Sequence, residues 1–203
     1  MFKKFFENVK KPRDTFGGRF MVKGMNMGHE KIASWGRSFL EIKDSDHILD
    51  LGCGGGRNVQ FFLTKAAKVY GMDYSTTSCS ISKKLNQKAI DQGRCKIIEG
   101  DVTKLPFDDE SMDIVTAFET VYFWPEITTS FREIHRVLKS KGQFLICNEG
   151  SAKENPNIKK WSEMLDFPVY SGDELKEMLE VLGFSVTYSL DDKQQISLLA
   201  IKS

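Results

Sequence analysis

Between Ile48 and Asn58 the chain reads Ile-Leu-Asp-Leu-Gly-Cys-Gly-Gly-Gly-Arg-Asn. A short apolar run delivers the backbone to four glycines within five positions, and an amphipathic stretch begins directly after them. Glycine lets a chain leave a strand end sharply, and it lets a ligand approach bare backbone near the positive end of the next helix dipole. A dinucleotide fingerprint counted from Gly52 and Gly54 requires a third glycine at position 57, for close packing under a pyrophosphate. The chain has Arg57 there. Asp50, at the end of the run, adds a carboxylate that would repel a diphosphate and would suit a cationic amine. The loop thus favours a ligand with an amino-acid end, unless Asp50 merely caps backbone amides of its own turn.

The rest of the chain alternates in the same manner. Strands are expected at 47–52, 68–73, 96–99, 113–118 and 143–147, with helices at 57–67, 75–91 and 127–138 between them. In the last helix Ile127, Phe131, Ile134, Val137 and Leu138 fall on one face at helical spacing, and Lys141-Gly142 reads as its end. Ser171-Gly-Asp-Glu174 has the spacing of a capping box, so a further helix starts there and stops at Gly183. Strands at 184–188 and 196–201 then lie close enough in sequence to be antiparallel neighbours. Strands that alternate with helices argue an α/β domain with a mostly parallel sheet and an antiparallel edge. Residues 1–44 form an N-terminal extension, expected to be helical and to act as a lid. Residues 45–203 form the main domain, in which 151–170 fall outside the alternation and could cover a site.

The glycine stretch resembles the first motif of class I S-adenosylmethionine-dependent methyltransferases, and later landmarks follow at fitting distances. The resemblance is strong over residues 45–150. It implies a Rossmann-like, mostly parallel seven-stranded sheet of order 3-2-1-4-5-7-6, with the last strand antiparallel and helices on both faces. It also implies S-adenosyl-L-methionine as cofactor and S-adenosyl-L-homocysteine as product. Asp50, Gly52, Cys53, Gly54 and Gly56 would then surround the amino-acid end of the cofactor. Asp73, followed by Tyr74 and Ser75, would hold both ribose hydroxyls, since charge-assisted hydrogen bonds are the strong ones. Gly100, Asp101 and Val102, with Leu105-Pro106-Phe107 behind them, look like the adenine site. Asp101 would accept from the exocyclic amine there, and the Val102 N–H would face a ring nitrogen. Ala117, Phe118 and Glu119 would line the methionine part. The family usually has Leu-Lys-Pro-Gly-Gly where this chain has Leu138-Lys139-Ser140-Lys141-Gly142, a departure that affects a turn. Bland readings stand beside these roles: Asp73 as an N-cap, Asp101 as a turn residue, Cys53 as a small filler.

For the acceptor, Tyr122-Phe123-Trp124-Pro125 follows the fourth strand, where a site mouth belongs. Tyr122 and Trp124 are candidate substrate walls or a cation–π face, with a buried apolar patch as the alternative. The segment Met25-Asn26-Met27-Gly28-His29 is similar to an N-terminal motif of the type-11 methyltransferase group. That likeness would put Asn26 and His29 near the transferred methyl, with His29 a candidate base; a lone histidine at a helix start is also an ordinary cap. Glu119 is the second candidate base. Methyl transfer from a sulfonium is an in-line displacement in which alignment alone can supply roughly 7–11 kcal/mol, so a dedicated base is not obligatory.

The chain has Phe118-Glu119-Thr120-Val121 where methyltransferases acting on nucleic-acid bases carry [DNS]-P-P-[YFW], and it has no room for an added recognition domain. A small-molecule acceptor, and no nucleic acid, is therefore expected. Formal net charge is +1, yet seven basic residues against Glu7 and Asp14 up to Lys23 leave the remainder at −4. That basic arm could be a lid, an anchor for an anionic substrate or a solvated face. Four cysteines without CxxC or metal-ligand spacing suit reduced thiols, and no metal site is expected. No apolar run approaches the roughly 20 residues of a membrane helix, and MFKKFFENVKK lacks a signal-peptide core, so a cytoplasmic location without membrane insertion is expected. Oligomeric state stays open, a homodimer included. Two rival classes remain, a nicotinamide-dependent oxidoreductase and a non-catalytic S-adenosylmethionine-binding protein.

Overall fold

A computed structural model of the chain describes residues 30–149 and 156–203. Seven strands form one sheet: β1 (His47–Leu51), β2 (Lys68–Asp73), β3 (Cys95–Glu99), β4 (Met112–Phe118), β5 (Leu138–Asn148), β6 (Phe184–Leu190) and β7 (Ile196–Lys202). Their order is β3-β2-β1-β4-β5-β7-β6. The first five run parallel, and β7 runs antiparallel to both β5 and β6. The expected Rossmann-like fold is therefore present, with the antiparallel strand in the expected place.

The pleat sends alternate residues of β1 to opposite faces. Ile48 packs with Val59 and Phe62 of α2 (Arg57–Phe62) and with Cys79 of α3 (Thr76–Leu85). Leu49 and Leu51 pack on the other side, with Phe131 and Ile134 from the helix over Ile127–Val137 and with Leu175 and Leu179 from the helix over Gly172–Glu180. Those helices are α5 and α7; α4 (Gln87–Asp91) lies between α3 and β3, and α6 (Pro156–Leu165) precedes α7. Complete burial of a Phe or Leu side chain is worth roughly 1.5–3 kcal/mol each, so the two-sided core carries the stability of the sheet. Helix α1 (Glu30–Arg37) rests on β5 near the carboxyl ends of the parallel strands.

Three element bounds differ from the sequence reading. The helix expected over 57–67 stops after Phe62, and Leu63, Thr64 and Lys65 continue only as turns. The helix expected over 75–91 is broken at Asn86, whose side-chain Nδ2 donates to the carbonyls of Gly56 and Ser82. The third difference is at β5, which begins at Leu138 instead of 143. Leu138 leaves α5 with extended dihedrals and pairs with Met112, and a register irregularity follows before Gln143 pairs with Ile114. Lys141, at φ 62°, lies inside that irregularity, so Lys141-Gly142 shapes a strand and does not end a helix.

Candidate active site

All five parallel strands end on the same edge, and a cavity of about 440 Å³ opens there. One side is the glycine loop. Gly52 and Cys53 both donate their N–H to the Met72 carbonyl, which curls the loop over the end of β2. Gly54 has φ 51°, and a Cβ placed on it would meet nothing closer than the Gly52 carbonyl at 4.0 Å. Bare backbone thus faces open space in the cavity wall. Gly56 behaves differently. A Cβ there would lie 2.2 Å from Ser82 Oγ and 2.6 Å from Asn86 Nδ2, so this glycine exists for helix packing and is absent from the cavity lining.

Asp73, on the last position of β2, lines the cavity with its carboxylate fixed by two backbone donors. The Gly54 N–H donates to Oδ2 at 2.9 Å, and the Ser75 N–H donates to Oδ1 at 2.8 Å. Each oxygen keeps a second acceptor direction. Burial raises its pKa, against the pull of those two donors. Ser75 itself is buried and caps α3, its Oγ accepting from the Ser78 N–H; it orients Asp73 and does not line the cavity.

Gly100, Asp101 and Val102 also line the cavity. One Asp101 oxygen is taken by the Thr103 N–H and hydroxyl at 2.8 Å, which folds the turn. The loop beyond is held by α5: Glu133 accepts from the Leu105 N–H, and Arg136 donates to the Leu105 and Phe107 carbonyls.

Asp50 corrects the expectation that it faces an amine in the cavity. It is 2% exposed and lies under the loop. The β1–β4 register sets it opposite Thr116, whose hydroxyl donates to it at 2.8 Å. Burial pushes its pKa up to about 7, although the Thr116 hydrogen bond and Arg37 pull it down. Ala117 is likewise off the lining. Strand alternation sends it into the core with Leu51 and Val121, while Phe118 turns towards the cavity.

Glu119 follows, in the left-handed region at φ 57°. A non-glycine residue there costs about 1–3 kcal/mol and persists only where its surroundings fix it. Its N–H donates to the Cys147 carbonyl. Its Oε2 accepts from the Tyr122 hydroxyl and its Oε1 from the Glu149 N–H, both at 2.5 Å. Burial pushes its pKa up to about 8, with Tyr122 pulling down and the Glu149 charge adding to the rise. Tyr122 is therefore behind the wall, tied to Glu119 and packed on Phe167, and not on the lining. Trp124 is on it, its indole N–H donating to Thr120 Oγ1 at 3.0 Å.

Several lining residues were not singled out as site candidates in the sequence, although Phe123 and Pro125 belong to the aromatic stretch expected at the site mouth. Thr120, Phe123 and Pro125 complete the turn after β4, and Arg57 and Asn58 begin α2. Glu30, Ile32 and Ala33 come from α1. That helix is pinned by Arg37, which donates to Asn58 Oδ1 and Glu30 Oε1, each at 2.6 Å, and lies 4.2 Å over the Phe61 ring. An apolar pair such as Ile32-Ala33 at the start of a short helix carried no signal that would place it at a site. Asn26 and His29 lie outside the described residues. Among the described residues no group of three His, Cys, Asp or Glu side chains could hold a metal ion, and no helix is long and apolar enough to cross a membrane.

Residues 49–146 match a family described as a methyltransferase domain. A sterol 4-C-methyltransferase of Caenorhabditis elegans is 33% identical over 143 residues, which cover 66% of this chain and 42% of that protein. An O-methyltransferase of Aspergillus sclerotiorum is 26% identical over 177 residues, covering 85% of this chain and 67% of the relative. Four such curated relatives are spanned over 42% to 67% of their length. Among solved structures, a chain from a complex between the Haloferax volcanii Trm112 methyltransferase activator and a methyltransferase superposes with a TM-score of 0.80 at 22% identity, over 89% of this chain and 93% of its own. A methyltransferase from Aquifex aeolicus does so at 0.73 and 18% identity, over 91% and 98%.

Proposed function

We propose, from the methyltransferase-domain match over residues 49–146 and the shared fold, that the chain is a class I S-adenosylmethionine-dependent methyltransferase and transfers a methyl group to a small-molecule acceptor by in-line displacement. The observation that carries this reading is the bare backbone of Gly54 beside the Asp73 carboxylate. That combination fits a ligand with a sugar diol and no diphosphate: an acceptor-only group for two hydroxyls, and a cradle that a Cβ would fill.

In this reading Asp73 holds the ribose hydroxyls, and Asp101 with the Val102 N–H holds the adenine. Gly52, Cys53 and Gly54, together with Phe118 and Glu119, surround the methionine part. Bound S-adenosylmethionine supplies a methyl group already activated by the positive sulfur. The chain's own residues then need chiefly to bind, orient and exclude water. The Gly54 and Ser75 N–H groups keep the Asp73 carboxylate from turning. Trp124 is held by Thr120, and Ile32 and Ala33 close the α1 side with apolar surface. The small-molecule acceptor is supported by the size of the cavity, about 440 Å³, and by the names of the curated relatives, a sterol 4-C-methyltransferase and an O-methyltransferase.

Calorimetric titration with S-adenosylmethionine and S-adenosylhomocysteine tests the reading. Wild type is expected to bind both, and Asp73→Ala is expected to weaken binding at least tenfold, about 1.4 kcal/mol. Folded wild type that binds neither would overturn it. Binding without turnover on any acceptor would point instead to a cofactor-binding protein without catalysis.

A further inference from the structure

The cavity has a charge character that constrains what can share it with the cofactor. Among the described residues four carboxyl groups line it, on Glu30, Asp73, Asp101 and Glu119, against one cation, Arg57. Arg57 belongs to the first turn of α2, beside the glycine loop. An anionic acceptor would give up its hydration against described walls in which carboxyl groups outnumber the one cation. A permanently cationic acceptor would have to sit against the sulfonium. An uncharged acceptor avoids both costs.

The turn after β4 adds shape. Phe123, Trp124 and Pro125 present flat or rigid apolar surface, and Ile32 and Ala33 extend it from α1. Aromatic rings pack on such walls with stacked or edge contacts worth about 0.5–1.5 kcal/mol beyond area burial. Glu119 is the ionisable group at the junction, at the end of β4 and directly before that turn. Its carboxylate is aimed by Tyr122 from the 3₁₀ turn (Val121–Phe123) and by the Glu149 N–H from the end of β5. The other titratable groups near it are the Glu149 carboxylate and the Cys147 thiol. Each Glu119 oxygen accepts one bond and keeps a second acceptor direction.

We propose that the methyl acceptor is a phenol: a flat, uncharged ring held on the Phe123–Trp124 wall, with its hydroxyl proton passing to the Glu119 carboxylate. The inference rests on the methyltransferase reading above. A lone pair of the phenolic oxygen forms the new bond to the methyl carbon. The carbon–sulfur bond breaks with its electrons going to sulfur, so a sulfonium becomes a neutral thioether. The hydroxyl proton ends on Glu119, and the acceptor leaves as a neutral methyl ether. Proton affinities match this pairing: Glu119 is pushed up to about 8, while a phenol titrates near about 10. General-base catalysis works best between groups matched in this way.

The experiment takes the full chain, with cofactor binding established first by calorimetry. A panel of naphthols and substituted phenols is then compared with ring-matched arylamines, aryl carboxylates and aryl phosphates, and products are read by mass spectrometry. Phenols are expected to yield methyl ethers. Their kcat/KM should rise about tenfold per pH unit up to a bend near pH 8. At saturating cofactor, Glu119→Gln should lower kcat about 100-fold or more and remove that bend. Phenol affinity, measured calorimetrically with S-adenosylhomocysteine bound, should change by less than tenfold. The pH profile of wild type stands as an independent readout if the variant folds poorly. Cofactor-loaded wild type that binds no phenol, or that methylates an amine, carboxylate or phosphate in preference, overturns the proposal. So does a Glu119→Gln variant with wild-type rate and pH profile. Failure to bind cofactor at all takes down the methyltransferase reading, and this one with it.

Discussion

Asp50 and Glu119 are carboxyls at the ends of neighbouring strands, and burial drives both towards the neutral form. Their consequences separate because only Glu119 meets the cavity. For Asp50 the consequence is thermodynamic. Its folded pKa is about 7 against an ordinary 3.8, so the folded protein holds the proton more tightly than the unfolded chain. Its contribution is fully present below pH about 4 and is lost as pH rises to about 7, at about 1.4 kcal/mol per unit at most. Asp50→Asn keeps an oxygen for the Thr116 hydroxyl and carries no charge. Thermal melts between pH 5 and 8 should therefore show wild type losing stability and the variant losing distinctly less. An equal slope in both would mean that Asp50 does not carry the effect. Asp73 and Asp101 lie on the cavity lining, and each sits in a motif with a turn behind it. Asp50 was misplaced because only the register against Thr116, a feature of two strands 66 residues apart, decides which way it faces.

Local devices in the sequence translated directly into elements where every partner was close in the chain. The Ser171–Glu174 capping box is present with both of its hydrogen bonds. Ser171→Ala should cost about 1 kcal/mol and lower the melting temperature by about 2–4 °C, without touching cofactor affinity. Elements whose bounds depend on distant partners were not legible. The break at Asn86 exists because its amide reaches the Gly56 carbonyl 30 residues away, and early pairing with Met112 draws Leu138 into β5. The loop after β3 belongs to the same class. Glu133 and Arg136 pair with each other and hold three backbone groups of that loop. Arg136 keeps its proton more tightly than an ordinary arginine, and Glu133 gives up its own more readily. Glu133→Ala should therefore weaken S-adenosylmethionine binding through Asp101 and Val102, while Glu133→Gln, still able to accept from the Leu105 N–H, should recover part of it. Equal affinities for all three proteins in a calorimeter would sever the loop from the adenine end.

Across the whole molecule, the mostly parallel sheet and its antiparallel edge were readable because alternating periods of two and 3.6 residues leave few topologies to choose from, while the strand order followed from the family resemblance of the motifs. Which α1 residues meet the cavity was not readable, since nothing local in Ile32 and Ala33 tells them from core residues, although a helical cover from residues 1–44 was expected. What holds α1 there is contact without slack. A Cβ on Gly36 would lie 2.7 Å from Cys147 Sγ and 3.1 Å from the Phe118 ring, and the Cys147 thiol donates to the Ile32 carbonyl. Cys147 is fully buried beneath that helix. A thiol reachable only when a helix lifts off is a clock for the lifting: its rate of alkylation counts how often the cavity wall comes away. Bound S-adenosylhomocysteine should slow that clock and Gly36→Ala should run it fast, so alkylation read at Cys147 by peptide mass spectrometry can time the opening of the site with no engineered label.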